Sequence, residues 1–241
     1  MADVRYQNRT GVQTPAQIDQ GLRSYMLGVY NYMALGVALT AIVIMAVASS
    51  PAALATVISM KWLFFVGVLG LGWFAPKLIF SGNTAAAHAA YWGYAALWGV
   101  MLAPMVAFYL TRDVSIVGRA FAVTAITFGA TSLAGYVTKR DLSGLGGFFM
   151  MATIGVLVAM LVNVFFFGSA MFSLVTSIVV VLLFSAITAY ETQQIKEMYV
   201  EGDAPGLQKG KSIFGAFMLY GSFVTLFSHI LSIFGIMGSD E

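Results

Sequence analysis

The run Met171-Phe172-Ser173-Leu174-Val175-Thr176-Ser177-Ile178-Val179-Val180-Val181-Leu182-Leu183-Phe184-Ser185-Ala186-Ile187-Thr188-Ala189-Tyr190-Glu191 carries one charge, and that charge is its last residue. About 20 apolar residues in a helix cover the hydrocarbon thickness of a bilayer, so the run predicts a membrane-spanning helix over 171–191. Working outward, residues 145–167, 115–137, 87–110, 62–80, 27–49 and 213–236 read the same way. They are separated by turn-forming or charged clusters: Ser49-Ser50-Pro51, Ser81-Gly82-Asn83, Thr111-Arg112-Asp113, Lys139 to Gly144, Gly168-Ser169, and the polar segment Thr192 to Ser212. The prediction is an all-α polytopic membrane protein with seven transmembrane helices. The least certain of the seven is the last, where a re-entrant hairpin is the competing reading.

Composition supports the same solvent. Of 241 residues, 60% are hydrophobic and 9% charged, against the roughly 25% charged share of a soluble domain. Lys+Arg number 12 and Asp+Glu 10, and a net charge of +2 offers no basic field for nucleic acid. Cysteine is absent, which removes disulfides, zinc thiolates and iron–sulfur clusters. With an inside N-terminus, alternation puts Arg5, Arg9, Arg23, Lys77, Lys139, Arg140, Lys196, Lys209 and Lys211 on the cytoplasmic side, and Lys61, Arg112 and Arg119 outside. The positive-inside rule favours that orientation.

Residues 1–25 read as a polar cytoplasmic tail ending in a short juxtamembrane helix that starts at Thr14-Pro15, an N-cap followed by proline at the first helical position. Residues 26–237 form the seven-helix membrane domain and 238–241 a short C-terminal tail. Small residues four apart predict close helix contacts at Ala95, Gly99 and Ala103, at Gly118 and Ala122, and at Ser228 and Ser232.

Polar side chains at membrane depth cost several kcal/mol unless paired or hydrated, so they are the functional candidates. Ser185, Thr188 and Glu191 form one stripe on the sixth span. A carboxylate there can bind or release a cation or proton as pH changes, and Glu191 is the weak calcium candidate; the competing reading is a water-facing helix end. On the seventh span Ser222, Thr225, His229 and Ser232 share one side. They can line a cation path or serve as interhelical glue. Lys77 and Arg119 are the possible charge partners, although Arg119 and His88 lie near enough to span ends to snorkel.

Several chemistries are excluded by residue type. The last span has no lysine for a retinal Schiff base. Gly221-Ser222-Phe223 lacks the Gly-x-Ser-Gly of a rhomboid protease, and His229 is on the same helix. There is no phosphate-binding Gly-x-x-x-x-Gly-Lys-Ser/Thr. No nucleophile, base and orienting group can be placed together, so an enzyme is not expected and no cofactor is implied.

Three segments, Tyr30 to Gly36, Gly135 to Gly144 and Thr188 to Tyr199, resemble the Bax inhibitor-1 family (transmembrane Bax inhibitor motif proteins), and most closely its bacterial branch. The resemblance runs from about Gly21 to Phe234. It implies a last helix central in the bundle, a bacterial inner (plasma) membrane location, and two aspartates that share a proton and gate a calcium leak according to pH. The first falls on Glu191 and the second on Ser222, in Leu219-Tyr220-Gly221-Ser222-Phe223, so one carboxylate is replaced by a hydroxyl. An arginine that the family keeps near the end of the second span is replaced by Lys77. The implied function is a passive, pH-sensitive calcium or proton leak with an altered gate, calcium being a transported or regulatory ion. The alternative is a non-transporting regulator that binds other membrane proteins, such as a membrane-anchored AAA protease.

Overall fold

The computed structural model describes residues 15–238, with side chains from Gln20 onward; the tails 1–14 and 239–241, with Thr14, Arg5 and Arg9, lie outside the described residues. The helices are α1 (Pro15–Ala48), α2 (Pro51–Ser59), α3 (Lys61–Ile79), α4 (Thr84–Arg112), α5 (Val114–Val137), α6 (Gly146–Val162), α7 (Ala170–Glu197) and α8 (Pro205–Met237). A single 3₁₀ turn, Ser143–Leu145, leads into α6, and a π turn, Asn163–Phe167, ends it. Seven of the helical segments are long and apolar enough to cross a membrane. The chain is therefore a multi-pass, all-α membrane protein. The last segment is one unbroken 33-residue helix, which removes the re-entrant reading.

The helix ends follow from local chemistry. Asn83 Oδ1 accepts from the Ala85 and Ala86 amides at 2.9 and 3.3 Å and starts α4. Asp113 alone separates α4 from α5, and its carboxylate accepts from the Ser115 amide at 2.8 Å. Gly168, at φ 60°, turns the chain after the π turn in a conformation that L side chains rarely adopt, and Ser169 caps α7.

Three helices depart from the sequence reading. The first two turns of α8 are residues 205–212, read as part of the polar connection. Residues 51–59, read as connection, form α2, because Ser50 caps the Ala53 amide and Pro51 occupies the first helical position. Residues 192–197, read as loop on their polarity, extend α7 by more than a turn. The polar groups of Thr192 and Gln193 are satisfied inside the bundle. Gln193 Nε2 donates to the Arg140 carbonyl at 2.8 Å, and its Oε1 accepts from the Leu142 amide at 2.7 Å, fastening the α5–α6 connection to α7. Gln193→Ala should cost about 2 kcal/mol by leaving both partners unmatched. Trypsin, titrated on the purified protein, should then cut at Lys139 or Arg140 faster than in wild type; an unchanged digestion rate would refute the staple.

Helix α8 is buried on every side and packs against α1, α3, α4, α5 and α7, while α6 leans on α7. A helix covered around its whole circumference is a core helix, and α8, with no exposed residue from Gly210 to Ile236, is the centre of this bundle. Small residues admit some of the contacts. A Cβ on Gly99 would stand 2.8 Å from Val43 Cβ, so α4 approaches α1 closely there. The other expected small-residue contacts are not made. Gly118 and Ala122 face outward, and Ser228 and Ser232 line a cavity. The tightest crossing is one the spacing did not indicate. Gly135 of α5 lies against the Ala189 backbone of α7, where a Cβ would overlap the carbonyl.

Candidate functional site

Along α7 the polar stripe divides. The Ser185 and Thr188 hydroxyls donate back to the Val181 and Phe184 carbonyls, each at 2.7 Å, and are satisfied within the helix. Thr188 is fully buried. Glu191 reaches across instead: the Ser222 hydroxyl of α8 donates to Glu191 Oε2 at 2.7 Å. At that distance the hydroxyl and the carboxyl oxygen make a full hydrogen bond. Ser222 is 2% exposed and Glu191 half-buried, so the bond lies between helices and not at a free helix end. The two positions singled out separately in the sequence form one site.

The α8 stripe continues away from this pair. Thr225, one turn on, bonds the Gly221 carbonyl, and Ser228 bonds the Thr225 carbonyl. His229 Nδ1 and Ser177 Oγ share a hydrogen bond of 3.1 Å between α8 and α7. Thr225, Ser228, His229 and Ser232 of α8, with Ser173, Thr176 and Ser177 of α7, form the polar side of a cavity of about 440 Å³, and the residues of α3, α4 and α6 across from them are mostly apolar, Thr153 and the Trp98 indole being the exceptions. The cavity begins about one turn from Ser222 and extends to Asn163 and Ser173.

A second polar chain, missed in the sequence, lies on the other flank of Glu191. The Tyr30 and Ser132 hydroxyls are 2.6 Å apart, and Ser132 and Thr192 are 2.9 Å apart, linking α1, α5 and α7 at the residue next to Glu191. Each of these hydroxyls belongs to a different helix, so no spacing pattern along one helix marks them. Higher in the bundle Thr40 and Tyr220 meet at 2.6 Å, and Tyr220 donates to the Ala95 carbonyl.

The expected charge partners are not at the site. Arg119 Nη2 pairs with Asp113 at 3.1 Å and also bonds Ser115 Oγ, at the α4–α5 corner. The Ser115 hydroxyl and amide, followed by the Arg119 guanidinium, hold the exposed Asp113 carboxyl below its ordinary range. Lys77 is exposed, with its ammonium 5.9 Å from the Phe74 ring centroid. The ion pairs among the described residues are Arg119–Asp113 and Lys211–Asp203, so neither Lys77 nor Arg119 serves Glu191. No group of three His, Asp or Glu converges among the described residues. One carboxylate and one hydroxyl fall far short of the six to eight oxygens that calcium takes, so Glu191 does not fit a resident calcium site.

The family model described as inhibitor of apoptosis-promoting Bax1 matches residues 22–239. The inner membrane protein YbhL of Escherichia coli strain K12 is 37% identical over 223 residues, covering 89% of this chain and 92% of that protein. Uncharacterized proteins of Deinococcus radiodurans and Rickettsia prowazekii are 38% and 36% identical, each match covering 90% of this chain and 91% of theirs.

Proposed function

Because the chain belongs to the Bax inhibitor-1 family, we propose that it is a passive cation leak of a bacterial inner membrane, with its N-terminus cytoplasmic and Glu191 as the group that senses cation and proton. The observation that carries this reading is the 2.7 Å bond from Ser222 to Glu191, between the central helix and α7. A single acid at membrane depth attracts a cation when ionised and has no charge to offer when protonated. The polar wall from Thr225 to Ser232 supplies hydroxyl and imidazole groups along the rest of the crossing. Protons and monovalent cations suit this donor set, and calcium would pass as cargo without being held.

Flux into proteoliposomes tests the reading. Wild type should pass cations faster than empty liposomes, and its flux should change between pH 6 and pH 8 as the Glu191 carboxyl exchanges its proton. Glu191→Gln, which keeps the shape and loses the charge, should bring flux close to the level of empty liposomes at both pH values. The second reading, a regulator that binds other membrane proteins such as a membrane-anchored AAA protease, is favoured by the hydroxyl at Ser222, where the resemblance places an acid. It takes over if wild-type flux matches empty liposomes at both pH values.

A further inference from the structure

Helices α1 and α5 are neighbours with little direct packing, and the Tyr30–Ser132 bond of 2.6 Å ties them at one level. Between them, on the side of the membrane where α1 begins, is an open cleft of about 670 Å³. Its walls are apolar, with Met26 and Leu27 on α1 and Phe128 and Leu133 on α5. Leu27 and Leu133 are 53% and 61% exposed, so the cleft faces outward from the bundle into lipid. Its floor is the hydroxyl pair of Tyr30 and Ser132.

The mouth is basic. Arg23 stands exposed on α1, two turns or about 10 Å before Tyr30. On the opposite rim Lys196 Nζ donates to the Tyr136 carbonyl at 3.1 Å and lies 5.1 Å from the Tyr136 ring centroid. Lys139 follows, exposed, just beyond the end of α5. Further along the same two helices, Ile44 and Phe121 contribute to a second, almost wholly apolar hollow of about 290 Å³.

We propose that this cleft is a binding site for one anionic phospholipid, with its phosphate between Arg23 and Lys196, its polar linker region toward the Tyr30 and Ser132 hydroxyls, and an acyl chain along the α1–α5 gap. A basic mouth over an apolar gap between spans is the arrangement that selects an anionic headgroup from bulk lipid. A zwitterionic lipid would fill the same apolar walls and gain nothing from the two cations. The site is independent of whether the protein conducts.

Native mass spectrometry of the purified full-length chain, offered phosphatidylglycerol and phosphatidylcholine with identical acyl chains in equal amounts, tests it. Wild type should retain one phosphatidylglycerol in clear preference to phosphatidylcholine. Arg23→Gln should lower that preference about fivefold, the worth of one cation near an anionic lipid. A side chain at Gly129 would enter open space inside the cleft, so Gly129→Leu should abolish retention of either lipid while the melting temperature holds. Arg119→Gln, at the far end of α5, should leave the preference as it is. Equal retention of the two lipids by wild type, or an unchanged preference in Arg23→Gln, would overturn the proposal.

Discussion

Gly135→Ala is expected to destabilise the protein by about 3 kcal/mol, enough to lower its melting temperature in detergent by many degrees. The added methyl group would fall on the carbonyl, carbon and Cα of Ala189, which are backbone atoms that no rotamer change can move aside. Helix α5 or α7 must shift, and α7 carries Glu191 two residues further on. Gly129→Ala supplies the control on the same helix. Nothing lies within 4 Å of its Cβ, so the substitution should be neutral or stabilising by up to about 1 kcal/mol, the propensity gain of alanine over glycine. The same chemical change should thus have opposite signs six residues apart. If Gly135→Ala melts with wild type, the close α5–α7 crossing is wrong.

Ser222→Asp should change how the protein responds to pH more than any other single substitution. It would set a second carboxylate where the hydroxyl now donates to Glu191 at 2.7 Å. Two unit charges about 4 Å apart repel by about 4 kcal/mol at an effective dielectric of 20, and this cost arises only when both groups are ionised. The destabilisation therefore grows as pH rises, and the melting temperature of the variant should fall between pH 6 and pH 8 relative to wild type. The pair should titrate as a coupled unit, giving a two-step profile in flux or in melting temperature. Adding Glu191→Gln to Ser222→Asp removes the repulsion and should restore a single step. A variant whose melting temperature follows wild type at every pH would show that residues 191 and 222 do not face each other.

The membrane architecture was legible because it rests on composition: a run such as 171–191 has no other solvent, and the seven predicted spans each coincide with one helical segment, two of them overrunning its end by a single residue. The ends were less legible where polarity was read as exposure. Thr192 and Gln193 looked like loop residues and are buried, since each finds its partners on another part of the chain. Glu191 and Ser222 were both identifiable as unusual at their depth, and the resemblance to a family set them opposite each other. Lys77 was placed near the site by the resemblance, and Arg119 by its charge. Their side chains end elsewhere, Arg119 because Asp113 and Ser115 are four to six residues away on its own corner. The α5–α7 crossing was illegible because one glycine among many carries no mark of what lies against it. The Tyr30–Ser132–Thr192 chain stayed hidden for a related reason: its three hydroxyls belong to three helices and form no pattern on any one of them.

The central position of α8 also bears on how the molecule is made. In chain order α8 follows the six other spans, which must enter the bilayer before the helix that most of them pack around has been synthesised. Until α8 arrives, surfaces such as Val29, Ala95 and Ile195 have only lipid or one another to contact. Translation at roughly 5–20 residues per second leaves that half-built bundle waiting for several seconds. A ribosome that stops short of Pro205 would therefore release spans without a centre, a form that membrane quality control can tell from the finished protein by its unfilled middle.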